Sequence, residues 1–244
     1  MMTLVKHLYT RVMKKGRFIG LVALTLVPAL TLAFSPLTDA GRNMATHYAS
    51  ILAGPGFTFA IATLILTAAT LREERDGGTL PYIYMRPISR QSIAAGSITA
   101  GILAAMSIAV IAWIATVVAA LSIDAGVSDT LGGLVLFTSA TVGYAAIFVP
   151  LGYLISRSLL VGLGYLFVVE TILANAVSGL AQLSIWRISL SIYLGLESDV
   201  DESLITEFLG AVEPGAGGGL AKLAVVVALG YAVLVWALRK RDAL

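Results

Sequence analysis

Five long stretches of this chain contain no Asp, Glu, Lys or Arg, and a sixth contains a single acid, Glu170. The six stretches are 18–38, 43–71, 91–123, 130–156, 158–185 and 223–238. A helix needs about 20 apolar residues to cross a hydrocarbon core of about 30 Å. Each stretch can therefore supply one membrane-spanning helix, and no other feature of the chain limits its fold as strongly.

The composition excludes several classes of protein. Hydrophobic residues make up 58% of the 244 residues and charged residues 12%, whereas a soluble domain has about a quarter charged residues. A soluble globule and a disordered chain are both excluded, since disordered chains are polar and rich in charge. The absence of cysteine excludes a disulfide scaffold and thiolate metal sites. A net charge of +2 is too small to indicate a nucleic-acid binder.

We predict an all-α integral membrane protein with six transmembrane helices, because the apolar runs are continuous and do not alternate as barrel strands do. The predicted spans are 18–34, 49–71, 92–121, 131–155, 159–180 and 220–238. Six spans place both termini on the same side. Thirteen of the sixteen Lys and Arg residues fall on that side and nine acids on the other. The positive-inside rule then predicts cytoplasmic termini, and we expect the chain to lie in the cell membrane.

The first 17 residues have a helical period. Apolar pairs at 4–5, 8–9 and 12–13 alternate with Lys6, His7, Arg11, Lys14 and Lys15, which gives one apolar face and one cationic face. Such a helix is expected to lie in the inner membrane interface, near anionic head groups. We interpret 1–17 as an amphipathic interfacial (elbow) helix and 18–244 as the transmembrane domain. The interfacial helix is interpreted as a surface anchor or as an element that moves during transport. The two roles are compatible with each other.

The loop 72–91, between the second and third spans, is the part of the sequence that is most informative about function. Two glycines at 77–78 end the second span, Thr79 is a favourable N-cap, and Pro81 fits a first helical turn. A short amphipathic helix follows, with Leu80, Ile83 and Tyr84 on one face. Charges and turns at a membrane boundary are ordinary, but apolar side chains beside water usually need a lipid or protein surface.

This loop resembles that of the ABC-2 family of transporter permeases. The resemblance is carried by Glu73 and Glu74, by Gly78-Thr79-Leu80, by Pro87-Ile88-Ser89-Arg90 and by Gly96. The chain departs from the family pattern at Pro81, where the family often has Glu, and at Ser97, where it often has Lys. The topology is also similar, with a basic interfacial helix, six spans and a long external segment before the last span.

The resemblance implies that the loop is a coupling helix, which contacts a separate ABC ATPase (nucleotide-binding) subunit. By resemblance, the contact residues are Glu73, Glu74, Gly78, Thr79, Leu80, Ile83, Tyr84 and Arg90. A second permease copy or a homologous permease would complete the complex, and ATP and Mg would be held by the partner ATPase. The chain itself is expected to hold no cofactor or metal and to bind no nucleic acid.

Catalytic motifs are missing from the sequence. No Lys is followed by Ser or Thr, so there is no Walker A motif. His7 and His47 do not form an HExxH motif, and neither G-x-S-x-G nor GxGxxG occurs. We therefore expect that the chain is not an enzyme and that a partner or a gradient supplies the energy for its activity.

Two further regions are candidates for a substrate path or gate. Glu170 lies within the fifth span, where a carboxylate is costly and marks either a functional site or a structural hydrogen bond; Asn175 follows five positions later. The segment 181–219 is expected to lie outside. It contains an aromatic stretch and a short helix from Asp201 to Val212, whose apolar face includes Phe208. By resemblance, this segment forms short helices that act as an external gate.

Two functions compete at this stage. The first is the permease of an ABC-2 type exporter for a hydrophobic or amphiphilic cargo such as a drug, lipid or peptide. The second is an ATP-independent channel or ion-gradient-driven carrier that uses Glu170. A membrane-embedded enzyme is a third class, against which the missing catalytic residues argue.

Overall fold

The computed structural model describes residues 1–34, 57–85, 88–122, 128–173, 184–196 and 215–240. These residues form helices and no β-strand, which confirms the predicted all-α class. The described helices are α1 (Met2–Val12), α2 (Lys15–Ala33), α3 (Phe57–Asp76), α4 (Leu80–Tyr84), α5 (Arg90–Ser122), α6 (Ser128–Leu154), α7 (Ser158–Tyr165), α8 (Ile185–Leu194) and α9 (Ala216–Lys240). A π-helical segment, Leu166–Leu173, continues α7.

Three described helices are long and apolar enough to cross a membrane. They are α5, the part of α6 from Gly132 to Leu154, and α9, and they coincide with the predicted third, fourth and sixth spans. Helix α2 covers the predicted first span, and α3 covers the second from residue 57 onward. The fifth span begins with α7, and its end at 174–180 lies outside the described residues. The number of six spans therefore stays a prediction.

Helix α6 is the centre of the bundle and packs against α3, α5, α7, α8 and α9. Glycines bring two of these neighbours into backbone contact. A Cβ atom on Gly152 of α6 would lie 2.1 Å from the carbonyl oxygen of Ala68 in α3, and one on Gly230 of α9 would lie 2.1 Å from that of Ala146. Small residues are what allow membrane helices to approach so closely, since lipid provides no hydrophobic force between them.

The N-terminal amphipathic segment is divided into two helices. Helix α1 ends at Val12 and α2 begins at Lys15, so the helix predicted over 1–17 covers α1 and the first turn of α2. The apolar side chains of Leu4, Leu8 and Val12 are buried, chiefly against α5. Because the protein itself covers this apolar face, contacts within the protein are enough to explain the helical spacing of its apolar residues. The position of α1 at the membrane interface stays a prediction.

We predict that Gly152→Ala destabilises the bundle by roughly 1–3 kcal/mol, because a methyl group at this position overlaps the backbone of α3. Gly164→Ala in α7 is the matched control, since a Cβ there meets no atom within 4 Å. The control should be neutral or slightly stabilising, because alanine favours a helix. Thermal unfolding of both variants in one detergent tests this, and an equal midpoint for the two variants would contradict it.

Candidate functional site

The loop predicted to couple to a partner contains helix α4, which begins two residues after a sharp turn. Gly78 in that turn has a φ of +65°, a left-handed conformation that glycine adopts without steric cost. The side chains of Leu80 and Ile83 are buried against the chain, whereas Tyr82 and Met85 are 66% and 73% exposed. The helix therefore has an anchored inner face and an outer face that presents large apolar side chains. Arg86 and Pro87 lie outside the described residues.

Glu74 lies under this helix, at the end of α3, and its side chain is only 1% exposed. Its Oε1 atom lies 2.9 Å from Arg11 Nη1 and 3.1 Å from His7 Nε2, both on α1. The hydroxyl of Thr79 also bonds to this carboxylate and accepts from Arg11 Nη1 at 3.1 Å. Because burying an unpaired carboxylate is very costly, these three groups are what allow Glu74 to be charged inside the fold.

Glu73 connects the same corner to the start of α2. Its carboxylate pairs with Arg17, and Lys14 Nζ lies 3.4 Å from its Oε2 atom. The backbone oxygen of Glu73 accepts from Arg11 Nη2 at 3.2 Å, and Arg17 Nη1 donates to the carbonyl of Val12 at 3.2 Å. Adjacent acids on α3 thus hold α1 and the start of α2, which together form the N-terminal arm (residues 1–17).

The other side of the loop is tied to the end of α6. Arg75 Nη1 donates to the carbonyl oxygen of Tyr153 at 2.6 Å, and the hydroxyl groups of Tyr84 and Tyr153 lie 3.0 Å apart. The guanidinium of Arg90 lies 3.9 Å from the centre of the Tyr84 ring, a cation–π contact. Helices α4, α5 and α6 therefore meet at Tyr84.

Asp76 ends the polar last turn of α3, beyond the apolar part of that helix, and its side chain is 50% exposed. Slight burial raises the pKa of Asp76. The hydrogen bonds and charges of Arg75 and Arg72 lower it by more, so that the pKa lies below its ordinary value. These exposed pairs contribute little to stability compared with the pairs of Glu74.

All eight residues predicted as ATPase contacts surround this loop, but they are not equally accessible. The side chains of Glu74, Leu80 and Ile83 are buried within the chain, Gly78 is exposed, and the other four are partly exposed. Thr79 occupies the N-cap position as predicted, but its hydroxyl makes no capping bond and turns to Glu74 instead. Sequence reasoning missed Arg11, Arg17 and Tyr153. The four-residue spacing of His7 and Arg11 on one helix face was the signal that could have indicated a shared acidic partner.

A second polar site lies inside the bundle at Glu170. Its Oε1 atom accepts from Tyr165 Oη at 3.1 Å and from the backbone N–H of Ile185 at 2.9 Å. Its Oε2 atom accepts from Ser184 Oγ and, at 3.4 Å, from the backbone N–H of Trp186. Glu170 thus caps the N-terminus of α8, where a carboxylate satisfies free N–H groups and complements the helix dipole.

Helix α8 itself is embedded in the protein. Ile188, Leu190, Ile192 and Tyr193 are buried, and the helix packs against α6 and α9. A Cβ atom on Gly143, near the middle of α6, would lie 2.6 Å from Ile185, so the capped end of α8 contacts the middle of a membrane-capable helix. Asn175, Phe208 and the helix predicted from 201 to 212 lie outside the described residues. Among the described residues, no group of three or more His, Asp or Glu is placed to hold a metal ion.

Comparison with known proteins identifies one related family. The model of a family described as "ABC-2 family transporter protein" matches residues 13–176, more than half of the chain. The matched region includes α2 to α7, the loop with α4, and Glu170. No curated protein matches the chain.

We predict that Glu74→Ala releases α1, because Arg11, His7 and Thr79 lose their shared acceptor, at a cost of roughly 1–3 kcal/mol. Limited trypsin digestion of the purified protein should then cut faster in the N-terminal arm. Asp76→Ala is the control, because it removes an exposed acid from the same helix end and should cost at most about 1 kcal/mol. Equal protection of the arm in the two variants would show that Glu74 does not hold α1.

We also predict that Glu170→Ala loosens α8 by roughly 1–3 kcal/mol, because the N–H groups of Ile185 and Trp186 lose their acceptor. The chain has no cysteine, so a single cysteine reports on this position. Ile188→Cys should resist maleimide in the otherwise unchanged protein and react once Glu170→Ala is added. Leu196→Cys, at an exposed position, should react in both backgrounds. Unchanged protection of position 188 would count against the capping role.

Proposed function

This chain belongs to the ABC-2 family of transporter proteins, and from that membership we propose that it is the transmembrane permease subunit of an ATP-driven exporter. A separate ABC ATPase subunit would bind ATP and Mg and supply the energy, since the chain has no Walker A motif. The permease itself would catalyse no reaction. Its role is to couple movements of the ATPase to a path through the membrane.

The observation that carries this proposal is the two-faced helix α4. Its outer face presents the exposed side chains of Tyr82 and Met85, and aromatic and methionine side chains are enriched at protein interfaces. Its inner face is fixed by Leu80 and Ile83. We therefore propose that the ATPase contacts Tyr82 and Met85 directly, while the buried residues of the predicted contact set hold α4 in position.

The contacts around α4 give a physical route for coupling. A force on α4 reaches α1 and α2 through Glu74 with Arg11 and through Glu73 with Arg17. It reaches α6 through Tyr84 and Tyr153. Both routes consist of hydrogen bonds and ion pairs between named side chains. A tilt of α4 would therefore be transmitted to several helices together.

The remaining parts of the proposal concern architecture and cargo. The chain would cross the cell membrane six times with both termini in the cytoplasm, and α1 would lie along the inner interface. A second copy or a homologous permease would pair with it around a central path. The cargo would be hydrophobic or amphiphilic, such as a drug, lipid or peptide. Helix α8 and the rest of 181–219 would form the external gate.

The alternative, a gradient-driven channel or carrier that uses Glu170, receives less support. A coupling carboxylate has to change partners or protonation during transport, whereas both oxygens of Glu170 accept hydrogen bonds at the end of α8. We propose that Glu170 positions the gate helix and does not carry an ion. Gene neighbourhood also separates the two functions, because an adjacent ATPase gene favours the exporter.

We predict that the double variant Tyr82→Glu, Met85→Glu loses its ATPase subunit on purification from the native host, because two charges replace the apolar contact. Many interface contacts are nearly neutral, but truncation of a central aromatic residue commonly costs about 2 kcal/mol or more. The ratio of ATPase to permease measured by quantitative mass spectrometry should fall at least about tenfold, as such a cost implies.

Leu196→Glu is the matched control, since it charges an exposed apolar position two residues beyond the C-terminal end of α8. It should retain the ATPase. Recovery of unmodified permease with no ATPase, in a preparation that still transports cargo, would reject the exporter in favour of the carrier. An unchanged ratio in the double variant would reject the contact at α4.

A further inference from the structure

A cavity of about 400 Å³ lies at the charged end of the bundle, between the N-terminal arm, α3 and the start of α7. Its volume falls within the range of roughly 300–1,000 Å³ that is usual for small-molecule sites. It is separate from α4, none of whose residues line it. Arg11, Arg17 and Glu73 of its lining also belong to the proposed coupling route, but that route assigns no occupant to the cavity.

The lining of the cavity is divided into an apolar wall and a charged rim. Ile65 and Ala69 of α3, together with Leu159 of α7, form the apolar wall. Arg72 follows Ala69 by about one turn on the same face of α3, and it belongs to the charged rim. Because α3 changes from apolar to charged residues at this point, the cavity lies where hydrocarbon gives way to head groups in a membrane protein.

The rim carries more positive than negative charge. Arg11, Lys14, Arg17 and Arg72 line the cavity against two acids, Glu73 and Asp76. Arg17 and Lys14 pair with Glu73, Arg72 with Asp76, and Arg11 with the nearby Glu74. The carboxylates would repel an anion at close range, but the four cations outnumber the two acids that line the cavity.

Two of the cations have donors left for a ligand. The Lys14 side chain is 62% exposed, and its ammonium group is 3.4 Å from Glu73 Oε2, beyond the usual length of a charge-assisted hydrogen bond. Arg72 bonds Asp76 through Nε at 3.2 Å. In the part of the chain that the structure describes, no hydrogen bond uses its two terminal nitrogens. A phosphate oxygen is the acceptor that such a guanidinium edge binds well.

We propose that this cavity binds an anionic phospholipid of the cytoplasmic leaflet, with its phosphodiester between Lys14 and Arg72 and an acyl chain along Ile65, Ala69 and Leu159. Basic pockets between transmembrane helices on the cytoplasmic side are suited to such head groups. The proposal rests on the membrane orientation given under the proposed function, but it does not require the ATPase or any cargo. The bound lipid would brace α2 and α7 against α3 at the head-group level.

The apolar wall distinguishes a lipid from a soluble anion. Inorganic phosphate would use the charged rim alone and would compete with water and salt for it. A phospholipid adds apolar contact of its acyl chain with the wall, which inorganic phosphate lacks. An acyl chain is already out of water in a bilayer. The cavity therefore selects among lipids by the head group, and the apolar wall orients the acyl chain.

The full chain in detergent, with added phosphatidylglycerol or phosphatidylcholine, gives the direct test by native mass spectrometry. We expect the chain to retain one phosphatidylglycerol molecule in preference to phosphatidylcholine. Inorganic phosphate at the same concentration should not displace it. Photoactivatable phosphatidylglycerol should label peptides from α3 or from the start of α7. Equal retention of the two lipids, displacement by inorganic phosphate, or labelling confined to other helices would each overturn the proposal.

The variants Lys14→Gln and Arg72→Gln remove one charge each from partly exposed positions. Each should lower the preference for phosphatidylglycerol about fivefold, which is the value of one basic residue near an anionic lipid surface. Lys6→Gln is the matched control, because Lys6 is an exposed cation of the same arm that does not line the cavity. In detergent no bilayer surface is present, and Lys6 is outside the cavity, so this variant should change the preference less than about twofold.

An equal loss in Lys6→Gln and in the two cavity variants would overturn the proposal, since it would indicate a diffuse basic surface. Circular dichroism and gel filtration confirm that each variant is folded. The ATPase ratio of the Lys14 and Arg72 variants keeps the two proposals distinguishable. If the variants keep the normal ratio of ATPase to permease but lose the preference for phosphatidylglycerol, the lipid site alone is supported. If they lose the ATPase but keep that preference, the assignment of the lipid to these residues is overturned.

Discussion

In the hydrocarbon core of a bilayer no water is present to pair with N–H groups, C=O groups or charges, and the arrangement of polar groups in this protein follows from that constraint. Long helices satisfy their own backbone. The backbone groups at helix ends and the charged side chains inside the bundle are not satisfied in this way. Each of them requires a partner from elsewhere in the protein. Glu170 provides such a partner for the N-terminus of α8, whose first N–H groups would otherwise be left without acceptors.

The same constraint explains why a chain with few charges concentrates them at one corner. Beside α4, acids at the end of α3 meet cations from α1 and α2, and the resulting pairs hold the N-terminal arm against the loop. An isolated surface pair of this kind would contribute little. Here Glu74 is buried and shared by several donors, so that losing any one of them leaves a charge without its full compensation.

Sequence reasoning predicted the long helices well because their signal is local. The uncharged runs predicted α5, α6 and α9, and the glycines at 77–78 predicted the boundary between α3 and α4. It did not predict the partners of Glu73 and Glu74, because Arg11 is more than sixty residues away along the chain. Thr79 occupies the predicted N-cap position, but its hydroxyl bonds to Glu74, five residues earlier in the chain, and makes no capping bond. The embedded position of α8 also depends on a distant contact, that between Ile185 and Gly143.

Helix α6 relates the two polar sites to each other. Its end contacts the loop through Tyr153, and its middle receives the capped end of α8 at Gly143. Glycine-mediated contacts with α3 and α9 leave little free space around it, and a tightly packed helix moves as a unit more readily than it deforms. A displacement that begins at α4 would therefore reach the neighbourhood of Glu170 by movement of α6 as a whole. Coupling of this kind needs no chain of charges through the membrane, because the movement passes through helix packing and not through ion pairs.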